Sequence, residues 1–415
     1  MKRLAAIALA GMACVPLAEA APISILFLGN SYTFGRVDPV MSYNAANVHD
    51  LTLGFWQQNS SGTNAWEPHP WGGVPGIFKK MTDEAGLNYD VSISARNAAS
   101  LRGQFLDTAN AVWKLRENVA TQKWDVVVLQ EQSDAALPPG KGANANLATF
   151  NAYADQFEKF IHNGAAQTYT ETQLFGSLAN CMATGLSAGS CGQTRTIAAN
   201  PNASASTKVF LTETWARPDM VYAHKQTNAD PTTPDGSPIV DLSGGPNGTP
   251  ATLYYSTLAA MTADLHADFY AKLASNPKFA GVLPVGDAFQ YAFDHHLVQT
   301  GDFYDANGVY TPQLPMDLWW KDYLHASKYG SYLDALIQFG MITGLDPASL
   351  GMNELAARDL GIAAADALTL QRIASIQLGF QVPEPGTLAL ALGGITVAGM
   401  RLGRRRPGAG SQPRL

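Results

Sequence analysis

At 415 residues the chain exceeds one average domain, yet a single α/β domain with insertions reaches this size. It is 46% hydrophobic and only 15% charged, which excludes an intrinsically disordered chain. The net charge of −7, with its one basic cluster at the extreme C-terminus, argues against a nucleic acid or an anionic membrane as partner.

The N-terminus reads as an address rather than as fold. Lys2 and Arg3 precede an apolar run from Leu4 to Leu17, and Ala18-Glu19-Ala20 supplies the small-residue pattern at which signal peptidase cuts. Residues 1–20 are therefore expected to be a secretory signal peptide. Cys14 falls inside it and lacks the upstream Leu that a lipoprotein cleavage box prefers.

Short β-branched, apolar runs then alternate with segments of helical spacing. Strands are predicted near Ile23–Leu28, Tyr89–Ala95, Trp124–Gln130, Lys208–Thr212 and Gly281–Val285. Helices are predicted over Pro75–Ala85, Thr108–Thr121, Asn146–Ile161, Thr252–Ala274, Ser327–Thr343 and Asn353–Gly361. With right-handed crossovers this order gives an α/β fold over residues 21–346, a three-layer flavodoxin-like sandwich around a parallel sheet of about five strands. Ligands of such sheets bind at the carboxyl ends of the strands.

Two stretches, 163–206 and 225–250, are rich in Gly, Pro, Ser, Thr and Asn and read as irregular surface insertions. In an exported chain Cys181 and Cys191, ten residues apart in the first of them, are expected to form a local disulfide. Residues 347–381 carry helical periodicity and read as a small helical appendage.

After it come Val382-Pro383-Glu384-Pro385, an apolar stretch from Thr387 to Met400, and Arg401, Arg404, Arg405 and Arg406. The stretch is short for a membrane span of roughly 20 residues, and its basic flank fits a cytoplasmic stop. These three parts in this order, over 382–406 with a tail at 407–415, resemble the PEP-CTERM sorting signal of Gram-negative bacteria. The resemblance implies processing by an exosortase-type protease. The protein would pass through the periplasm, transiently anchored, to the surface or matrix of an exopolysaccharide-making cell.

The chemistry gathers at strand ends. The first strand runs into Gly29-Asn30-Ser31, which would present the Ser31 hydroxyl at the mouth of a cleft and its N–H to an oxyanion. Far along the chain, Asp322-Tyr323-Leu324-His325 precedes a helix, a spacing that lets the carboxylate fix one imidazole nitrogen and aim the other at a nucleophile. An early Gly-x-Ser with a late Asp-x-x-His resembles the SGNH (GDSL-like) serine hydrolases, over roughly residues 23–339. That resemblance implies Ser31 as nucleophile, His325 as general base and acid, and Asp322 as its orienter.

The intermediate stations depart from the family's common motifs. Where it usually has a glycine donating to the oxyanion, this chain has Ala98 or Ala99. Where it usually has an Asn amide, Gln132 matches by position and Gln130 competes. Asn30, Glu131 and Trp215 flank these stations and are candidate substrate contacts, with Trp215 equally suited to the core. Trp56, Trp66, Trp71, Trp319 and Trp320 invite a carbohydrate-binding reading. His295-His296 has no third metal ligand at the required spacing, and Asp302, Asp305, Asn307 and Gly308 read as a polar turn, so no metal or other cofactor is expected.

The resemblance to the serine hydrolases implies an esterase forming an acyl-enzyme, and the resemblance to the sorting signal implies O-acetyl groups of an extracellular carbohydrate as its substrate. The alternative is a non-catalytic carbohydrate- or matrix-binding protein on the same fold.

Overall fold

The computed structural model describes residues 21–36, 38–61, 67–106, 113–226, 249–308, 311 and 316–381. The signal-peptide and sorting-signal segments, Trp66, part of the Thr108–Thr121 run and most of the 225–250 insertion lie outside the described residues.

The fold is α/β around a parallel sheet of six strands. These are β1 (Ile23–Gly29), β2 (His49–Asp50), β3 (Tyr89–Ala95), β4 (Val126–Gln130), β5 (Lys208–Thr212) and β6 (Gly281–Leu283). Across the sheet they run β6-β5-β4-β1-β3-β2. The apolar runs announce all but β2, a two-residue edge strand without an apolar run of its own. Without β2 the order is flavodoxin-like. Its direction switches at β1, which pairs with β3 on one side and β4 on the other, so the switch-point crevice opens above Gly29. Ile25, Leu26, Phe27 and Leu28 are all buried because helices cover both faces, which is why the strand reads as a continuous apolar run.

The principal helices are α1 (Ser31–Phe34), α2 (Gly73–Glu84), α3 (Leu101–Leu106), α4 (Leu147–His162), α5 (Leu258–Ser275), α6 (Val285–Asp294), α7 (Lys328–Thr343) and α8 (Ala364–Gln377). One layer holds α2, α7 and α8. The other holds α3 and α4, with Phe105 edge-on to Phe157, and α5 joins it where Phe150 meets Phe269. Among the described residues no helix is long and apolar enough to cross a membrane.

Several boundaries differ from the sequence expectation, each for a local reason. α5 begins at Leu258 rather than Thr252 because the Thr257 side chain accepts the Ala260 N–H and caps it there. The run ending at Val285 is two elements: β6 stops at Leu283, and Pro284 opens α6, which the sequence did not announce. The described part of the Thr108–Thr121 run holds only a Leu115–Val119 helix, entered through Lys114 at a left-handed φ of 52°. The appendage is integral, since Leu370, Ile373 and Ala374 of α8 are buried and α8 packs on α7.

The 163–206 stretch is ordered, not irregular. Gln167–Thr170 pairs antiparallel with Thr194–Ile197, and between them lie the short helices Glu171–Leu174, Leu178–Ala183 and Ala188–Gly192. The Ser and Thr that suggested loop are caps, with Thr170, Ser177 and Ser187 each accepting a backbone N–H. Buried Glu171 ties the insertion to the body through Arg102 at 2.6 Å and Tyr153 at 2.7 Å, while Arg195, within the insertion, pairs with it at 2.7 Å. The second and third helices are joined by a Cys181–Cys191 disulfide, as the sequence led us to expect. Replacing both cysteines with Ser is expected to loosen this insertion by about 2–3 kcal/mol through restored chain entropy. Hydrogen exchange should then show protection lost across 163–206 and kept in β1 and β4; equal loss in both would refute the local role.

Candidate active site

Gly29 ends β1 where a Cβ would collide with Thr33 Oγ1, so glycine is what lets the chain turn at once into α1. Asn30 caps that helix, its Oδ1 accepting the Tyr32 N–H at 3.1 Å. Its amide nitrogen donates to the carbonyls of Ala99 and Glu131, both at 3.1 Å. One side chain therefore fixes the segments following β1, β3 and β4 together. Ser31 occupies the first helical position, where its N–H has no partner among the described residues.

The histidine loop is held as firmly. Asp322 Oδ1 accepts the N–H groups of Leu324 and His325 at 3.0 and 2.9 Å, while Oδ2 lies 2.6 Å from His325 Nδ1. His325 Nε2 lies 2.9 Å from Ser31 Oγ. The three residues thus form one continuous relay. Burial would raise the Asp322 carboxyl, but the adjacent imidazole and the backbone donors outweigh it and hold it below its ordinary value. A carboxylate on Nδ1 fixes the tautomer with its proton there, which leaves Nε2 to accept the hydroxyl proton of Ser31.

The oxyanion candidates separate clearly. Ala98 borders the Ser31–His325 pocket, and its N–H has no partner among the described residues. It sits at a left-handed φ of 54°, where glycine is usual. The Ala99 N–H is engaged with the Arg96 carbonyl at 3.2 Å, so Ala99 has no donor to offer. Gln132 borders the same pocket; its amide nitrogen donates to Ser133 Oγ at 3.1 Å, and its second amide hydrogen remains. Gln130 is buried beneath α1 with its oxygen on Thr33 Oγ1, away from the pocket.

Three expected substrate contacts have other work. Trp215 is fully buried, stacked between Tyr32 at 4.0 Å and Phe289 at 4.9 Å. Its Nε1 donates to the Leu324 carbonyl, which the Tyr32 hydroxyl also reaches, so the tryptophan braces the histidine loop. Asn30 borders the pocket, but both of its amide groups are engaged in the internal bonds described above. Glu131 is 1% exposed, and its Oε1 accepts the N–H groups of Leu101 and Gln132. It positions the Gln132 station rather than binding at it. Burial pushes its carboxyl up to about 7 despite those donors.

Trp71 and Trp319 are core residues and Trp320 is buried, which removes three of the tryptophans from a carbohydrate platform. His295 stacks on Tyr291 and bonds its carbonyl, and Asp305 closes a turn through the N–H groups of Asn307 and Gly308. Sequence reasoning missed Arg36 and Asn97, which border the pocket. Arg36 pairs with buried Glu67, a partner whose sequence position carries no motif.

The pocket over Ser31 and His325 has a volume of about 190 Å³. At Ala98 and Gln132 it adjoins a cavity of about 530 Å³ edged by Ser100, Arg102, Asn144 and Thr149. A further space of about 260 Å³ adjoins at Gln132, Ser133 and Leu324 and reaches Arg217 and His224.

No protein-family model matches the chain. No curated protein matches it either. Among solved structures, a protein from Slackia heliotrinireducens, provisionally described as an SGNH hydrolase, is 14% identical with a TM-score of 0.34, covering 78% of this chain and 100% of that one. A DUF4886 family protein from Bacteroides uniformis is 12% identical with a TM-score of 0.39, covering 88% of this chain and 98% of that one.

Glu131 makes stability depend on pH. Its folded carboxyl titrates near 7 against an ordinary 4.5, so the stability from the neutral form is complete below about 4.5 and is lost as pH rises through about 7. Raising pH from 5 to 8 is expected to lower wild-type stability, relative to Glu131→Gln, by on the order of 2–3 kcal/mol. Asp334, also raised by burial to about 7, acts equally in both proteins and cancels. Urea unfolding at the two pH values checks this, and parallel pH dependences would refute it.

Proposed function

We propose that this chain is a serine carboxylic-ester hydrolase of the SGNH type that works through an acyl-enzyme. The observation that carries the reading is the relay from Asp322 through His325 to Ser31, at 2.6 and 2.9 Å, opening into a pocket at the sheet's switch point. His325 Nε2 takes the Ser31 proton as Oγ attacks the ester carbonyl, then returns it to the leaving alcohol. The Ser31 and Ala98 N–H groups and the remaining Gln132 amide hydrogen stabilise the oxyanion. Water, activated by the same imidazole, releases the acid and restores Ser31.

The cavities favour a small acyl group on a polar alcohol. The space at the nucleophile, about 190 Å³, suits an acetyl-sized group, and the adjoining 530 Å³ offers side chains that bond hydroxyls. O-acetyl groups of a carbohydrate fit both. The proposal includes export: residues 1–20 as signal peptide and 382–406 as a PEP-CTERM signal, cut by signal peptidase and an exosortase-type protease, with delivery to the cell surface or matrix. A disulfide on the surface insertion agrees with an oxidising compartment.

Hydrolysis of p-nitrophenyl acetate and of longer-chain esters by the purified protein tests this reading. Ser31→Ala and His325→Ala are expected to abolish turnover. Asp322→Asn should lower kcat about 10⁴-fold by losing the tautomer, and Gln132→Ala about 10²–10³-fold. Activity should fall as the acyl chain lengthens. A folded wild-type protein inert toward every ester would replace the proposal with the carbohydrate-binding reading.

A further inference from the structure

Away from the Ser31 pocket, three side chains from three elements converge at the carboxyl end of β5. Glu213 directly follows β5, His266 lies midway along α5, and Asp287 stands in the first turn of α6. One potential ligand atom from each lies within 4.8 Å of the other two. Glu213 is fully buried, and its Oε1 has no hydrogen-bond partner. Its Oε2 receives a long 3.4 Å contact from the Asp287 N–H, and the Asp287 carboxyl lies close enough to share a proton with it.

The close approach is enforced by the backbone. A Cβ on Gly286 would collide with the Thr214 carbonyl and stand 3.3 Å from Glu213 Cδ, so glycine lets α6 settle onto the end of β5. Asp287 Oδ2 lies 2.9 Å from His266 Nδ1, and the His266 ring stacks on Tyr270 at 4.2 Å, which sets its plane. Burial and the neighbouring Asp287 push the Glu213 carboxyl well above its ordinary value, so the pair is relieved either by a proton held between the two carboxyls or by a cation that displaces it. Among the described residues, no lysine or arginine forms an ion pair with either carboxylate.

We propose that Glu213, His266 and Asp287 bind one first-row divalent cation, of the Zn²⁺ or Mn²⁺ class, that clamps β5 to α5 and α6. Two carboxylates and one imidazole are a fitting donor set, and bonds of about 2.0–2.2 Å need only small closing movements from the observed spacing. His266 is 47% exposed and Asp287 18%, which gives the ion a path in and leaves coordination positions for water. The role is structural, because the site is separate from the Ser31 pocket. It still supports that pocket: Phe289, two residues past Asp287, stacks on Trp215, and Trp215 stacks on Tyr32 next to the nucleophile.

The test uses the full-length protein, stripped with chelator and titrated separately with Zn²⁺ and Mn²⁺ in a calorimeter, with bound metal counted by elemental analysis. Saturable binding of about one ion per chain is expected, with Tm raised by ~3 °C or more at saturation. Glu213→Gln and His266→Ala should each weaken binding at least tenfold and remove the Tm response, while His296→Ala, at an exposed position past the opposite end of α6 from Asp287, should leave both intact. His266→Ala, at a half-exposed position, keeps the test decisive if Glu213→Gln fails to fold. The proposal is overturned if neither ion binds saturably, or if binding and the Tm response survive His266→Ala unchanged.

Discussion

The amide of Asn30 is the constraint on which the mouth of the sheet depends. Parallel strands leave their carboxyl ends unpaired, and the segments that follow β1, β3 and β4 have no ladder to register them. Asn30 supplies that register with a capping bond to Tyr32 and two donations to Ala99 and Glu131. Each of those partners is next in sequence to a residue that lines the pocket: Ser31, Ala98 or Gln132. The Ser31, Ala98 and Gln132 turns are therefore positioned by one buried group, and polar groups buried this deeply are stable only when satisfied. An alanine at this position would strand the Glu131 carbonyl, leave the Ala99 carbonyl to Gln104 alone, and remove the one group that joins the three loops.

A second tether fastens the histidine to the same framework. The Leu324 carbonyl accepts from the Tyr32 hydroxyl at 2.9 Å and from Trp215 Nε1 at 3.1 Å. Tyr32 is the residue after Ser31, so the loop that carries His325 is bonded to the helix that carries the Ser31 hydroxyl it contacts. Phe289, Trp215 and Tyr32 stack in succession behind this contact and exclude water from it. Placing reacting groups to within a fraction of an ångström requires such rigid support. It also explains why a tryptophan near the cleft belongs to the core.

How much of this was legible follows from what a sequence encodes locally. The strands other than Tyr89–Ala95 could be read from short apolar runs, and Tyr89–Ala95 from alternating apolar residues; Ser31, Asp322 and His325 could be singled out because strand ends and a short Asp–His spacing are local features. Whether Gln130 or Gln132 faces the pocket could not be read. Successive strand residues point to opposite faces, and the strand ends at Gln130 with the next two residues in a turn whose course depends on Asn30 and Glu131. The role of Trp215 depends on Leu324, more than a hundred residues away. The 163–206 insertion looked irregular because capping residues and loop residues are the same amino acids, and only their hydrogen bonds tell them apart.

The two left-handed residues at the site show where this framework stores strain. Ala98 at φ 54° and Tyr323 at φ 53° both adopt a conformation that a side chain disfavours by roughly 1–2 kcal/mol. Each lies where a relaxed backbone would shift a polar group: Ala98 borders the Ser31 pocket with its N–H unengaged among the described residues, and Tyr323 bends the loop so that Asp322 can hold both the backbone and the ring of His325. Such conformations persist only when neighbouring contacts over-determine them. Here those contacts are the Asn30 bond to Ala99, one residue past Ala98, and the two Asp322 bonds that follow Tyr323. The same few hydrogen bonds therefore set the register of the strand ends and hold the strain, which makes the site a single cooperative unit.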